Sequence, residues 1–187
     1  MFSTNLASLD SSRHAPRQLL MLNRVSRLVL LGCIFLAACS STSKEPQVED
    51  APEVQAEISA LREAYAAFNR GDIEAALQPF EAQIEWTEPP EFARGGTWHG
   101  REGVRRYLAQ SRASFAEGSS EPERFITAGD RIVVFVHAHI RPVGSNEWQD
   151  VRLADVYTMR NGKAIQMRAF ADRQQALRWV GIEDPIH

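Results

Sequence analysis

Two carboxylates interrupt otherwise apolar strand-like stretches of this sequence: Glu88, in Ile84-Glu-Trp-Thr-Glu88, and Asp155, in Leu153-Ala-Asp-Val-Tyr-Thr-Met159. A carboxyl enclosed by apolar groups loses hydration, so its pKa rises and it exchanges protons near neutral pH. Two such groups in unlike surroundings can divide the roles of base and acid. Strand alternation puts Asp155 on the same side as Leu153, Tyr157 and Met159, with Arg152 and Thr158 opposite. Trp86 shares a wall with Glu88. Glu88 also stands directly before Pro89-Pro90, where a solvated strand end is the other reading. Asp155 has less of that escape, because a carboxyl on an apolar face needs a pocket or buried hydrogen-bond partners. His137 and His139, two apart on one strand, either ligate a metal with a carboxylate or line a pocket through hydrogen bonds. The second is the expectation, so no metal and no cofactor is assigned.

Composition removes several other chemistries. The only cysteines are Cys33 and Cys39, both in or at the end of the N-terminal apolar run. Everything beyond them therefore has no disulfide, thiolate nucleophile or cysteine metal site. From Cys39 onward the chain carries 17 basic and 23 acidic residues, and the basic ones are scattered arginines for the most part. That balance argues against nucleic acid as a partner. No Gly-rich phosphate loop is present.

The N-terminus is an address. Arg24 and Arg27 precede the apolar run Leu28–Ala38, which is shorter than the roughly 20 residues a spanning helix needs. A basic segment, a short apolar segment and small residues before a cleavage point describe a signal peptide over residues 1–38. Its ending, Leu36-Ala-Ala-Cys39, resembles the bacterial lipobox, in which the cysteine is acylated and becomes the new N-terminus. The alternative is an ordinary secretory signal with an incidental cysteine. Ser40 resembles the sorting residue of outer-membrane lipoproteins. The expected location is thus the cell envelope, lipid-anchored through Cys39 to the outer membrane and facing the periplasm. Residues 1–20 are polar and fit no part of a signal, so Met21 is the expected start. Residues 39–52 read as a flexible tether.

Residues 53–187 must then position the carboxylates. Val54, Ile58, Leu61, Tyr65 and Phe68 form one helical stripe, ended by Gly71. Asp72 caps a short second helix carrying Ile73, Leu77 and Phe80. Val104, Tyr107, Leu108, Ser111 and Phe115 mark a third, beginning near Gly100. The period then changes to two, giving strands over 124–128, 131–141, 149–159 and 163–170. Gly129-Asp130, a loop with Gly144, and Asn161-Gly162 join them as hairpins. Asp172-Arg-Gln-Gln175 is a capping-box pattern opening a last helix that stops at Gly181. Helices first and an antiparallel meander afterwards is the α+β class.

Four pieces in this order carry a resemblance: Phe68-Asn-Arg-Gly-Asp-Ile-Glu74, Ile84-Glu-Trp-Thr-Glu-Pro89, Trp98-His-Gly-Arg-Glu-Gly-Val104 and Asp155-Val-Tyr-Thr-Met-Arg-Asn-Gly-Lys163. Together they look like the SnoaL-like branch of the nuclear transport factor 2-like superfamily, over nearly all of residues 54–181. The resemblance implies a cone: three N-terminal helices packed in a strongly curved, largely antiparallel sheet, with a cavity inside. Members often dimerise through the sheet, so a homodimer is implied.

Within the superfamily, ketosteroid isomerase is the template for chemistry. Glu88 resembles its general base, and Asp155 its protonated oxyanion-hole acid. Ala64 stands where the isomerase has a hydrogen-bonding tyrosine. Tyr65 points about 100° away on a helix and is not expected to replace it. The template also puts Phe135, His137 and His139 into the pocket, opposite the Ile132, Val134, Val136, Ala138 and Ile140 face. The implied lining is Trp86, Tyr107, Phe135, His137, His139, Tyr157 and Met167. Asp172 resembles the aspartate closing the last strand in SnoaL-like proteins, although the helix cap is the stronger reading. Two functions follow: a pocket binding a small, largely apolar molecule, or a small acid-base enzyme of isomerase, dehydratase or epoxide-hydrolase type using Glu88 and Asp155.

Overall fold

The computed structural model describes residues 52–183. The signal segment, Cys39 and nearly all of the tether lie outside the described residues. Helix α1 spans Pro52–Asn69, and its inward stripe is Leu61, Ala64, Tyr65 and, one turn on, Phe68. Gly71, at φ +81°, turns the chain, and Asp72 accepts the Ala75 N–H to cap the one-turn helix α2 (Ile73–Ala76). Phe80, expected on that helix, instead opens strand β1 (Phe80–Glu88). A short strand β2 (Gly96–His99) leads into helix α3 (Gly100–Ala113). Strands β3 (Phe115–Ala128), β4 (Arg131–Pro142), β5 (Gln149–Arg160) and β6 (Lys163–Phe170) follow, and helix α4 (Arg173–Trp179) closes the described chain.

The six strands form one sheet in the order β2-β1-β6-β5-β4-β3. All neighbours are antiparallel except β1 and β6, which run parallel. The sheet is therefore mixed, strongly curved and not closed, in an α+β fold as expected. The hairpin turns fall where the sequence put them. Gly129 is at φ +62°, and Asn161 and Gly162 are at +52° and +73°, the left-handed pair of a tight two-residue hairpin.

Strand β3 differs most from expectation. It begins at Phe115, which the helical stripe had claimed, and continues through the polar run 116–123. It lies at the sheet edge, where polar residues and Pro122 are tolerated beside a register shift. Gly118 is required there: a Cβ would lie 2.0 Å from the His139 carbonyl oxygen.

Two apolar layers sandwich the sheet. Leu61, Tyr65, Leu77, Phe80, Ile84, Trp86, Val104, Leu108, Val134, Val136, Tyr157 and Met167 pack on the face carrying α1–α3. On the other, α4 sets Ala176 and Leu177 on Val133, Phe135, Ala154, Val156 and Phe170. Asp172 caps α4 by accepting the Gln174 N–H at 2.8 Å, which makes it a structural residue of that helix.

Candidate active site

The face carrying α1–α3 is not filled. A cavity of about 720 Å³ opens between the helices and the sheet, with Phe80, Leu108, Val136, Ala138 and Leu153 among its apolar lining. Its scale is that of a small-molecule site. Among the described residues, Glu88 and Asp155 are the only acidic or basic side chains that are buried, and both line this cavity.

Glu88 reaches it through strand parity. Ile84, Trp86 and Glu88 alternate inward along β1 while Glu85 and Thr87 are less buried. The Trp86 indole N–H donates to Glu88 Oε1 at 2.8 Å, and the Tyr107 hydroxyl, from α3, donates to the same oxygen at 2.7 Å. The solvated strand end is thereby set aside, since Glu88 is only 7% exposed. Burial raises its pKa above the ordinary carboxylate range, and the two donors pull the other way.

Asp155 sits on β5, its Oδ2 accepting the Tyr65 hydroxyl at 2.5 Å. Tyr157, two residues along the same face, donates to the Tyr65 oxygen at 3.1 Å, so the two phenols form a relay ending on the carboxyl. Burial first, and the charge of Glu88 second, together push the Asp155 pKa up to about 7, the single Tyr65 bond only partly offsetting them. Both phenols are held protonated, principally by burial. Aromatic rings brace the assembly: Trp86 meets Tyr107 at 5.8 Å and Tyr157 at 6.3 Å between centroids.

Trp86, Tyr107 and Tyr157 thus stand in the wall with the two carboxylates. Four residues expected there do not. Phe135 packs beneath α4 on the opposite face. His137 and His139 also face away, both bonded to Asp150 at 2.9 and 3.2 Å. The cause is register. Val134 lies directly opposite Asp155, so Val134, Val136 and Ala138 share the carboxylate's side and the odd-numbered residues of β4 cannot. Met167 is fully buried in the core behind Trp86, its register partner, and outside the cavity lining.

Tyr65 is the residue the sequence argument missed. The 100° offset from Ala64 is real, but both residues line the cavity, and the long phenol carries its hydroxyl to Asp155. A usable signal was present: tyrosine on an otherwise apolar helical stripe buries a hydroxyl that needs a partner.

A SnoaL-like domain model matches residues 61–167. No curated protein matches the chain. Among solved structures, an NTF2-like protein of unknown function from Burkholderia pseudomallei is similar at 26% identity and a TM-score of 0.57, covering 67% of this chain and 98% of that one. TerC, co-crystallised with polyporic acid, is similar at 28% identity and 0.56, with the same coverage. A protein with a ketosteroid isomerase-like fold from Catenulispora acidiphila, in complex with trimethylamine, is 18% identical at a TM-score of 0.54 over 68% of this chain and 93% of that one. At that identity the likeness concerns the fold alone. The cone architecture, the element order and the match over most of the described residues place this chain in the SnoaL-like domain family of the NTF2-like fold.

Proposed function

We propose that the chain is an exported lipoprotein whose SnoaL-like domain binds a small, largely apolar molecule, with Glu88 and Asp155 meeting that ligand's polar atoms. One observation carries the binding reading: two buried carboxyls, each with its own tyrosine donor, share one apolar cavity. Buried carboxyls are costly to a fold, and the cost is understandable where they recognise a ligand. The TerC structure with polyporic acid is consistent with small-molecule occupancy in a relative. The lipoprotein part rests on Leu36-Ala-Ala-Cys39. Radiolabelled palmitate should enter the wild-type protein and not Cys39→Ser; no incorporation into the wild type removes the anchor.

Binding is tested by filling the cavity. Ala138→Phe places a ring in the void and should displace the apolar fluorescent probe anilinonaphthalene sulfonate from the folded protein. Unchanged probe fluorescence would place the probe elsewhere and defeat the assignment of this cavity.

A second reading, acid-base catalysis, is favoured by the asymmetry between the two carboxyls. Glu88 receives two donors, which favour its ionised form, whereas Asp155 receives one and keeps its proton to about pH 7. Glu88 is then the proton acceptor, and neutral Asp155 donates a hydrogen bond to a ligand oxygen on which charge develops. Proton abstraction beside a carbonyl, dehydration and epoxide opening all use that pair. Deuterium exchange into the enolisable ketone 2-tetralone, an apolar probe of the cavity's scale, tests the proton abstraction. Glu88→Gln should slow protein-dependent exchange by about 100-fold or more. Exchange that is equal in wild type and Glu88→Gln would remove Glu88 as a base for proton abstraction beside a carbonyl.

A further inference from the structure

We infer that His137, His139 and Asp150 form a binding site for a divalent transition-metal ion with affinity for imidazole, on the sheet face turned away from the cavity. The three sit on two strands in a relation fixed by backbone register. His137 and His139 are two apart on β4, hence on one face, and His139 lies directly opposite Asp150 on β5. Asp150 Oδ2 is 2.9 Å from His137 Nε2 and 3.2 Å from His139 Nδ1, and one donor atom from each residue lies within 4.8 Å of the others. Bonds of about 2.0–2.2 Å to zinc place tetrahedral donors about 3.3 Å apart, close to both histidine distances from Asp150, and small side-chain rotations at this open surface adjust the rest.

The surroundings match what metal-binding histidines need. The second nitrogen of His137, Nδ1, is 3.6 Å from Glu123 Oε1, too long for a hydrogen bond but close enough for the carboxylate's charge to favour a proton on that nitrogen and leave Nε2 for a metal. Glu123 is in turn anchored by Arg173 at 2.7 Å. The His139 ring stacks on Trp148 with centroids 4.6 Å apart and planes 8° from parallel. Two of the three ligands are exposed and the third is half-buried, so an ion can enter and further positions stay open to water. Arg152, opposite His137, adds a positive charge beside Asp150 that an ion would have to outweigh. Two imidazoles with one carboxylate select zinc-like ions over calcium or magnesium, which prefer all-oxygen sites. A bound ion would clasp β4 to the start of β5, at the end of the sheet where the 143–148 loop leaves it.

The site is tested by calorimetric titration of the tag-free full chain in detergent with zinc chloride, and in parallel with calcium chloride. Zinc should bind at one ion per chain and raise the melting temperature, while calcium should do neither. Changing both His137 and His139 to Ala, or Asp150→Ala alone, should weaken zinc binding at least tenfold and abolish the thermal shift. His99→Ala, on the other side of the molecule's chemistry, should leave both unchanged. The inference is overturned if the wild type takes up no zinc, if half an ion binds per chain, or if the double histidine variant binds as tightly as the wild type. Melting of each variant without zinc separates lost binding from lost fold.

Discussion

Asp150 and Asp155 lie on the same strand, and opposite parity puts them on opposite faces of one sheet. Asp155 faces the closed side, buried beside a second carboxyl, and its pKa rises to about 7. Asp150 faces solvent with two imidazoles, and the His137 hydrogen bond holds its pKa below the ordinary range. The residue type and the strand are the same, so the direction of each shift is the work of surroundings alone: lost hydration on one face, donors in open water on the other. The same contrast runs along β4, where Val134, Val136 and Ala138 face the apolar cavity side and Phe135, His137 and His139 do not.

The largest expected effect is a pH dependence belonging to the inner face. Folded Asp155 keeps its proton to about pH 7, whereas the unfolded chain releases it near pH 4. The stability this group allows is thus full below pH 4 and declines as pH rises through 7, by on the order of 4 kcal/mol. Glu88 acts in the same direction. Denaturant titrations from pH 4 to 8 should show the decline, and Asp155→Asn should remove most of it. A flat profile in the wild type would erase the distinction between the faces.

Packing gives the next contrast. Leu177, 1% exposed beneath α4, should cost about 2–5 kcal/mol as Leu177→Ala. Phe68 borders the cavity and meets Phe115 edge-on at 5.9 Å, so Phe68→Ala adds to an existing void and should cost less, below about 3 kcal/mol. Equal losses would mean that the cavity side is packed as tightly as the side under α4.

Tyr65→Phe sharpens the electrostatic half. It removes the one donor that favours ionised Asp155, so the Asp155 pKa should rise further, with a stability change of about 1–2 kcal/mol. Carboxyl carbon shifts followed by NMR would report it, and an unmoved pKa would disconnect the phenol from the carboxyl. The smallest effect belongs to Asp150. Its contribution is present above the ordinary carboxylate pKa and fades as pH falls through its lowered folded value, so Asp150→Asn should slightly destabilise the protein at neutral pH and leave strongly acid behaviour unchanged.

Local signals were sufficient for much of this protein. The hairpin at Asn161-Gly162 needs left-handed backbone that few residues supply, the Asp72 and Asp172 caps need only adjacent N–H groups, and an aspartate amid apolar neighbours on β5 had to be buried with a partner. Each depends on residues within a few positions, so the sequence determined the order of the helices and of every strand but the short β2, the α+β class and the inward Asp155. Local pattern failed where both sides of an element are apolar or where partners are distant in the chain. Ile132-Val-Val-Phe-Val136 is buried throughout because α4 covers one face of β4 and the core lies against the other. Its periodicity therefore cannot say which side holds the cavity. The pairing of Val134 with Asp155 decided that, and so sent His137 and His139 outward. Tyr65 and Asp155 are likewise 90 residues apart, and only the packing of α1 against the curved sheet brings a hydroxyl with no local partner to a carboxyl that needs one.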